Sequence, residues 1–432
     1  MSHEKVHYRT ICNSERATSS LENMSSRGLR VATTVAGVAA TTVLVGCASD
    51  APQDTWKPAG PNAQKIQDLQ WPIFLTAGIV GVIVMAFIAF CVVKYRDRGQ
   101  AIPDQAHGKA WLEYLFIAIP AVILTAIAIP TVGVVMALND TDDTECVINV
   151  TGQQWWWEYD YEVGADGTIC GYAPSEVAAS PIITSGQLVI PADTKVLLRG
   201  TSRDVIHSYW IPRLNGKRDM VPGRVHFLRL ESDTPGIYAG QCTEFCGLSH
   251  ANMRMETVVL ESAHFQQWID NELEPYQAPA EGSLAAEGET TFIAQCSRCH
   301  QVNGLVDPGN GNLVVSYPDQ FVYSGAAPNL TNFLGRNTFA GATWDLLTPE
   351  CRTNVWESSP EEFGDKYLAG VSQDCLNEID LREWLRNAPA KKPMYADPAM
   401  LEQSGGKVRG MPYLGLSEDQ IDQLIAYLLE RK

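Results

Sequence analysis

Positive charge is what this 432-residue chain conspicuously lacks: 32 Lys and Arg stand against 50 Asp and Glu, a formal net charge of −18. That balance excludes a basic nucleic-acid-binding face and leaves an acidic, soluble surface suited to basic partners. Hydrophobic residues make up 45% of the chain, but they are gathered into a few local runs, and long apolar stretches are scarce elsewhere. The length allows two or more domains. Eleven cysteines are many for a cytosolic protein and point to an oxidising compartment.

Residues 1–26 are polar. Arg27-Gly28-Leu29-Arg30 then leads into an apolar run from Val31 to Val45, followed by Gly46-Cys47. A basic region, a short apolar region and a small residue before the cut read as a secretory leader over 1–46. At about fifteen residues the run is short for a membrane span. Leu-Val-Gly-Cys resembles a bacterial lipobox, which makes Cys47 the expected lipidated start of the mature chain. An extracytoplasmic linker is expected over 47–70.

Two continuous apolar spans follow, 71–93 and 111–138, each long enough to cross a bilayer. The second carries Pro120 and Pro130, which packed membrane helices tolerate. The loop between them, 94–110, holds Lys94, Arg96, Arg98 and Lys109 against Asp97 and Asp104. The positive-inside rule therefore places this loop in the cytoplasm and both the leader and the long C-terminal part outside. The expected location is a bacterial plasma membrane crossed twice.

From Glu145 the apolar period changes to two. Stretches 147–150, 188–190, 195–199, 225–230 and 255–259 read as short strands between Gly, Pro, Asp and Ser turns, the pattern of a β-sandwich or barrel. Within it lies Gln241-Cys-Thr-Glu-Phe-Cys-Gly-Leu-Ser-His-Ala-Asn-Met253, with His207 upstream in Asp-Val-Ile-His-Ser-Tyr-Trp. Cys242, Cys246, His207, His250 and Met253 form a soft sulfur and nitrogen donor set that suits copper better than magnesium, calcium or a hard iron site. Zinc is the bland alternative, but structural zinc takes four Cys or His ligands without Met. A Cys242–Cys246 disulfide is the other alternative.

Cys-x-Glu-x-Cys-x-x-x-His-x-x-Met with the upstream Asp-Val-Ile-His-Ser-x-Trp resembles the dinuclear copper (CuA) site of cytochrome c oxidase subunit II. The resemblance covers roughly Trp71 to Leu273. It implies a cupredoxin sandwich over 139–276 in which Cys242 and Cys246 bridge two coppers and His207 and His250 are terminal ligands. Met253 and the backbone carbonyl of Glu244 complete the implied set. The Glu244 carboxylate is implied to reach a magnesium or manganese ion shared with subunit I. In the run Gln154-Trp-Trp-Trp-Glu-Tyr-Asp-Tyr161, Trp155 resembles an exposed tryptophan through which electrons reach the copper. Cys146 and Cys170 are left over, and spacing alone does not pair them.

A linker is expected at 277–284 and a further module over 285–432. Cys296-Ser-Arg-Cys299-His300 is the c-type haem attachment signature: two thiols for the haem vinyls and an adjacent axial imidazole. A helix is expected over 285–295, with Gly288 and Phe292 on one side, and another over 380–387. A last helix is signalled by the capping box of Ser417 and Gln420, with Ile421, Leu424, Ile425 and Leu428 on one face. Pro328-Asn-Leu-Thr331 and these helices resemble a class I cytochrome c. The second axial ligand is then one of Met394, Met400 and Met411, with Met411 preferred because Gly410-Met411-Pro412 leads into the last helix. The stretch from Gly304 to Cys375 is longer than that family's, and Cys351 with Cys375 suggests a disulfide-closed excursion.

The expected fold is thus multidomain: a two-helix transmembrane hairpin, an all-β cupredoxin sandwich, then an all-α class I cytochrome c. The resemblance implies subunit II of a haem-copper oxidase. It would take electrons from cytochrome c or a bc complex through haem c to copper, and pass them to haem a in subunit I for reduction of oxygen to water coupled to proton translocation. An electron-input subunit of a copper-containing nitric oxide reductase remains an alternative that this chain does not discriminate. A non-catalytic copper-delivery or assembly protein is a third reading, opposed by the haem motif and the paired spans.

Overall fold

The computed structural model describes residues 51–99, 108–176, 180–306 and 327–431. The expected leader, Cys47 and residues 100–107 of the loop between the spans lie outside the described residues.

Helix α1 (Pro61–Lys94) and helix α2 (Ala110–Leu138) are long and apolar enough to cross a membrane, and their large apolar side chains are exposed. Their internal prolines, Pro72, Pro120 and Pro130, remove backbone donors. The Thr76, Thr125 and Thr131 hydroxyls turn inward instead, donating to carbonyls four residues back. Helix α1 begins ten residues ahead of the expected span. Pro61 at its start presets the helical φ. The Ala59 and Ala63 amides donate to the Arg213 and Leu214 carbonyls at 2.7 and 3.2 Å. Asn62 and Ala63 are buried there, so the first turns are a foot on the globular part. A Cβ on Gly60 would lie 2.1 Å from the Glu231 carbonyl oxygen, which is why the chain can dock so closely.

The β-domain places β1 (Cys146–Gln153), β2 (Trp156–Tyr161), β3 (Ile182–Ser185), β5 (Val196–Ser202) and β8 (His226–Leu230) in one sheet of order β3-β2-β1-β5-β8. Strands β4 (Gln187–Pro191), β9 (Gly236–Gln241) and β10 (Arg254–Leu260) form a second sheet of order β4-β10-β9. A small pair, β6 (His207–Tyr209) and β7 (Arg218–Met220), carries one candidate ligand. Strand β1 pairs in parallel with β5 and antiparallel with β2, with Ile148 opposite Tyr161 and Gly152 opposite Trp157. Alternate residues Cys146, Ile148 and Val150 are buried, as the period of two requires. The Tyr161 hydroxyl donates across to the Val189 carbonyl of the other sheet at 2.8 Å. Trp156 to Tyr161 of the tryptophan run form β2, whose burial on both faces lets a continuous aromatic sequence stand where alternation would be expected, and Trp155 lies in the turn before it.

Among the described residues, the regular structure of the rest is helical apart from the short hairpin β11 (Thr338–Phe339) and β12 (Trp344–Asp345). The helices are α3 (Ser262–Glu272), α4 (Leu284–Gln295), α5 (Pro349–Trp356), α6 (Pro360–Leu368), α7 (Glu378–Arg386), α8 (Ala388–Lys391) and α9 (Glu418–Leu429). Helix α9 starts at the expected capping box: Ser417 accepts from the Gln420 amide and the Gln420 side chain accepts from the Ser417 amide. It packs on α4 at Gly288, where a Cβ would meet the Gln423 carbonyl at 2.0 Å. The Phe292 and Tyr427 rings lie 5.2 Å apart beside that contact. Both leftover cysteine pairs are joined, Cys146 to Cys170 and Cys351 to Cys375.

The connection between the β-domain and the helical region is no free tether. Tyr276 packs under the Arg431 guanidinium, and Arg431 donates to the Gln277 carbonyl at 2.9 Å. Residues 336–395 lie against the β-domain through buried polar contacts. Arg336 donates to Ser185 Oγ at 2.9 Å, the Asn337 amide to Gln187 Oε1 at 2.9 Å, and Thr343 to the Asn252 carbonyl at 2.6 Å.

Candidate metal centre

Strand β6 brings in His207, and the loop between β9 and β10 brings in the rest. The Cys242 amide donates to the Met253 carbonyl at 2.9 Å, closing this loop at its base. The two thiols face each other at 3.8 Å and are free. A disulfide needs about 2.0 Å between sulfurs, so the disulfide alternative is set aside. Cys242 Sγ lies 3.9 Å from His207 Nδ1 and 3.3 Å from the Glu244 carbonyl oxygen. Cys246 Sγ lies 3.5 Å from His250 Nδ1 and 3.8 Å from Met253 Sδ. Every expected copper donor therefore borders one of the two sulfurs. His207, Cys242, Cys246 and Met253 are buried, whereas Phe245 at the loop tip is 77% exposed. The Glu244 side chain is also exposed.

The donor set fits a soft metal pair: two sulfurs that can bridge, one imidazole nitrogen beside each, and a thioether and a carbonyl completing the cluster. Hydrogen bonding between the two thiols draws the Cys242 thiol down from its ordinary value and, together with burial, pushes the Cys246 thiol up. Metal binding displaces thiol protons. Burial by itself would depress His207, but hydrogen bonding to Asp204 raises it overall. Burial likewise favours a neutral Asp204, yet hydrogen bonds from His207 and the Gln154 amide keep its carboxyl below the usual range. Asp204 orients His207 and was not singled out in the sequence; its place three residues before the histidine is the signal that could have found it.

Trp155 is buried rather than exposed, at 2% of its free surface. Its indole N–H donates to the Cys246 carbonyl at 3.1 Å, and Gln154 Nε2 donates to the same oxygen at 2.8 Å. The exposure expected of this residue fails because Tyr395 covers the indole, ring centroid to ring centroid 5.1 Å. Gly247, with φ +109°, allows this crowding: a Cβ there would meet Gln154 Nε2 at 2.9 Å and the Tyr395 hydroxyl at 3.1 Å.

The haem signature follows α4. Cys296 and Cys299 are free thiols; burial pushes Cys296 up to about 12 and also raises Cys299. His300 Nδ1 lies 2.7 Å from the Pro328 carbonyl, so Nδ1 carries the proton and Nε2 is left as a lone pair. Burial keeps this imidazole neutral. Free thiols beside a neutral, oriented imidazole fit covalent haem. Of the candidate axial methionines, Met400 takes the Gln403 amide on its sulfur and Met394 is buried. Met411 is half-buried against the same core, next to Gly410, whose Cβ would lie 2.3 Å from Met394 Sδ.

Fold and site together define a membrane-anchored protein with an extracytoplasmic, cupredoxin-like β-domain, a thiol and imidazole metal centre, and a helical C-terminal region. Residues 53–134 match the transmembrane domain of cytochrome c oxidase subunit II, and residues 146–262 match its periplasmic domain. The chain is 30% identical to cytochrome c oxidase subunit 2 of Alkalihalophilus pseudofirmus over 91% of its own length and 94% of that protein. It is also 30% identical to cytochrome c oxidase subunit 2 of Bacillus sp. strain PS3, over 78% and 79% respectively. The crystal structure of the periplasmic domain of subunit II of Bradyrhizobium japonicum cytochrome oxidase aligns over 31% of this chain and 96% of that one, with 26% identity and a TM-score of 0.25. The chain belongs to the cytochrome c oxidase subunit II family, and so is a component of a haem-copper oxidase complex.

Proposed function

We propose that this chain is the electron-input subunit of its oxidase, carrying two redox groups in series. His207, Cys242, Cys246, His250, Met253 and the Glu244 carbonyl hold a dinuclear copper centre. Cys296 and Cys299 would hold one haem c through their thiols, and His300 and Met411 are the side chains that would ligate its iron. These groups supply one-electron transfer. The chain's own part is to fix their ligands, exclude water and keep geometry constant between oxidation states. Electrons come from cytochrome c or a bc complex, pass to haem a in subunit I, and serve there to reduce oxygen to water with proton translocation. Trp155 couples into the copper loop through the Cys246 carbonyl. The exposed Glu244 carboxylate is the candidate contact to magnesium or manganese at the subunit I interface, and Cys47 is the candidate lipidated residue.

The observation that carries this reading is the pair of buried free thiols 3.8 Å apart, with an imidazole Nδ1 beside each sulfur. A rigid sandwich with its ligand loop closed at the base suits electron transfer, because little has to reorganise when the charge changes. The test is copper content of the purified complex after Cys242→Ser. Loss of copper with haem retained is the expected outcome; normal copper loading refutes the assignment.

A further inference from the structure

A short strap of the helical region, from Lys392 to Tyr395, lies across the copper loop. Lys392 Nζ donates to the Trp155 carbonyl at 2.9 Å and to the Ala340 carbonyl at 2.7 Å. Ser249, next to His250, donates to the Pro393 carbonyl at 2.5 Å. Tyr395 lays its ring on Trp155 at 5.1 Å and 53°, and the far side of Trp155 is tied to Cys246 through the indole hydrogen bond. The strap also reaches the loop that carries the candidate haem ligand, through Met394. Met394 is 3% exposed and packs so tightly on Gly410 that a Cβ there would overlap its sulfur. Gly410 is the covalent neighbour of Met411.

One four-residue segment therefore touches both the loop that holds the thiols and the loop that carries Met411. Nothing in the hydrophobic effect alone asks for this, since Met394 and Tyr395 could be covered separately. The lysine matters because its buried amine is satisfied by two carbonyls, an arrangement that fixes its position.

We propose that the Met394–Tyr395 strap is the internal electron bridge of this chain, with Tyr395 positioning Trp155 and closing it to outside donors, so that electrons reach the copper loop only from the helical domain. This rests on the haem and copper reading above. The step is a one-electron exchange: ferrous haem c becomes ferric and the oxidised copper pair is reduced by one electron. No bond or proton changes hands, and Tyr395 and Trp155 are the medium rather than redox intermediates. An external donor then docks on the helical domain, because Trp155 offers it no surface.

The test uses the intact oxidase with Tyr395→Ala and Tyr395→Phe, after copper and haem c have been counted in each. Hydroxyl-radical labelling read by mass spectrometry reports the exposure of Trp155 without turnover. Flash reduction of haem c by a photoexcited ruthenium complex reports transfer onward to copper. Trp155 should be protected in the wild type and Tyr395→Phe, and labelled in Tyr395→Ala. Transfer should slow about tenfold to a hundredfold in Tyr395→Ala at unchanged copper and haem content, and stay close to wild type in Tyr395→Phe, because small misplacements of a coupled group are costly. Tyr395→Leu, which keeps more bulk, supplies the same comparison if the alanine chain does not assemble. Trp155 labelled equally in wild type and Tyr395→Ala, or unchanged transfer in a fully loaded Tyr395→Ala or Tyr395→Leu complex, overturns the bridge alone. Missing copper or haem in the wild type overturns the underlying reading and the bridge with it.

Discussion

His207 and Asp204 meet at 2.8 Å, Nε2 to Oδ1, and this contact decides which face the imidazole shows the metal site. With Nε2–H given to the carboxylate, Nδ1 is the lone pair that faces Cys242. The carboxylate is itself held by the Gln154 amide at 2.8 Å, one residue before Trp155. Asp204→Asn should weaken copper binding by about 10–100-fold while leaving the fold intact, as loss of an orienting partner does at metal sites. Competition against a chelator of known affinity measures it; unchanged affinity would show that packing alone orients His207.

The helix crossing at Gly288 should not accept a side chain. Its Cβ position lies 2.0 Å from the Gln423 carbonyl oxygen and 2.8 Å from Tyr427 Cβ. Backbone has to move, so Gly288→Ala is expected to destabilise the helical region by at least about 1–3 kcal/mol. Thermal melting followed by far-ultraviolet circular dichroism should shift downward, and an unchanged midpoint would contradict it.

A pH dependence follows from Glu256, buried beside Gln187. Burial drives its carboxyl up to about 7, against the Gln187 hydrogen bond that works to lower it. An acid raised in the folded state stabilises fully below its unfolded pKa, and that contribution is lost as the pH rises through about 7. Lys392, brought down to about 7 by burial, works in the opposite sense, its contribution being lost as the pH falls. The difference between wild type and Glu256→Gln isolates the acid. Relative to wild type, Glu256→Gln should gain up to about 3 kcal/mol between pH 5 and pH 8. Urea unfolding at the two pH values measures it, and parallel slopes would contradict it.

The Cys351–Cys375 bond closes a loop across the excursion that lengthens the helical region. Replacing both with Ser should cost about 3 kcal/mol, the usual value for a loop of this size. Adding reductant should shift the denaturant midpoint less in the double variant, where only Cys146–Cys170 remains to be reduced, than in the wild type; equal shifts would contradict it.

Much of this was legible in the sequence, and for identifiable reasons. The ligand loop is local: Cys242, Cys246, His250 and Met253 lie within twelve residues, so their spacing carried the chemistry before any fold was known. The capping box at Ser417 and the apolar stripe of α9 depend only on neighbours and were read correctly. Apolar length gave the two spans, but not the start of α1, since its first turns are set by carbonyls of Arg213 and Leu214 far along the chain. The family resemblance implied an exposed Trp155, and no local pattern announces Tyr395, 240 residues later, lying on it. Lys392 and Tyr395 matter only through such long-range contacts, and a single residue with a distant partner leaves no period or motif.

The most direct test of the central claim is electron paramagnetic resonance of the oxidised, purified complex, with copper and haem c counted per chain. Two coppers sharing one unpaired electron at the Cys242 and Cys246 pair, together with one covalent haem c, are expected. A single mononuclear copper, or zinc with no such signal, would mean that the loop from Cys242 to Met253 is a different kind of metal site.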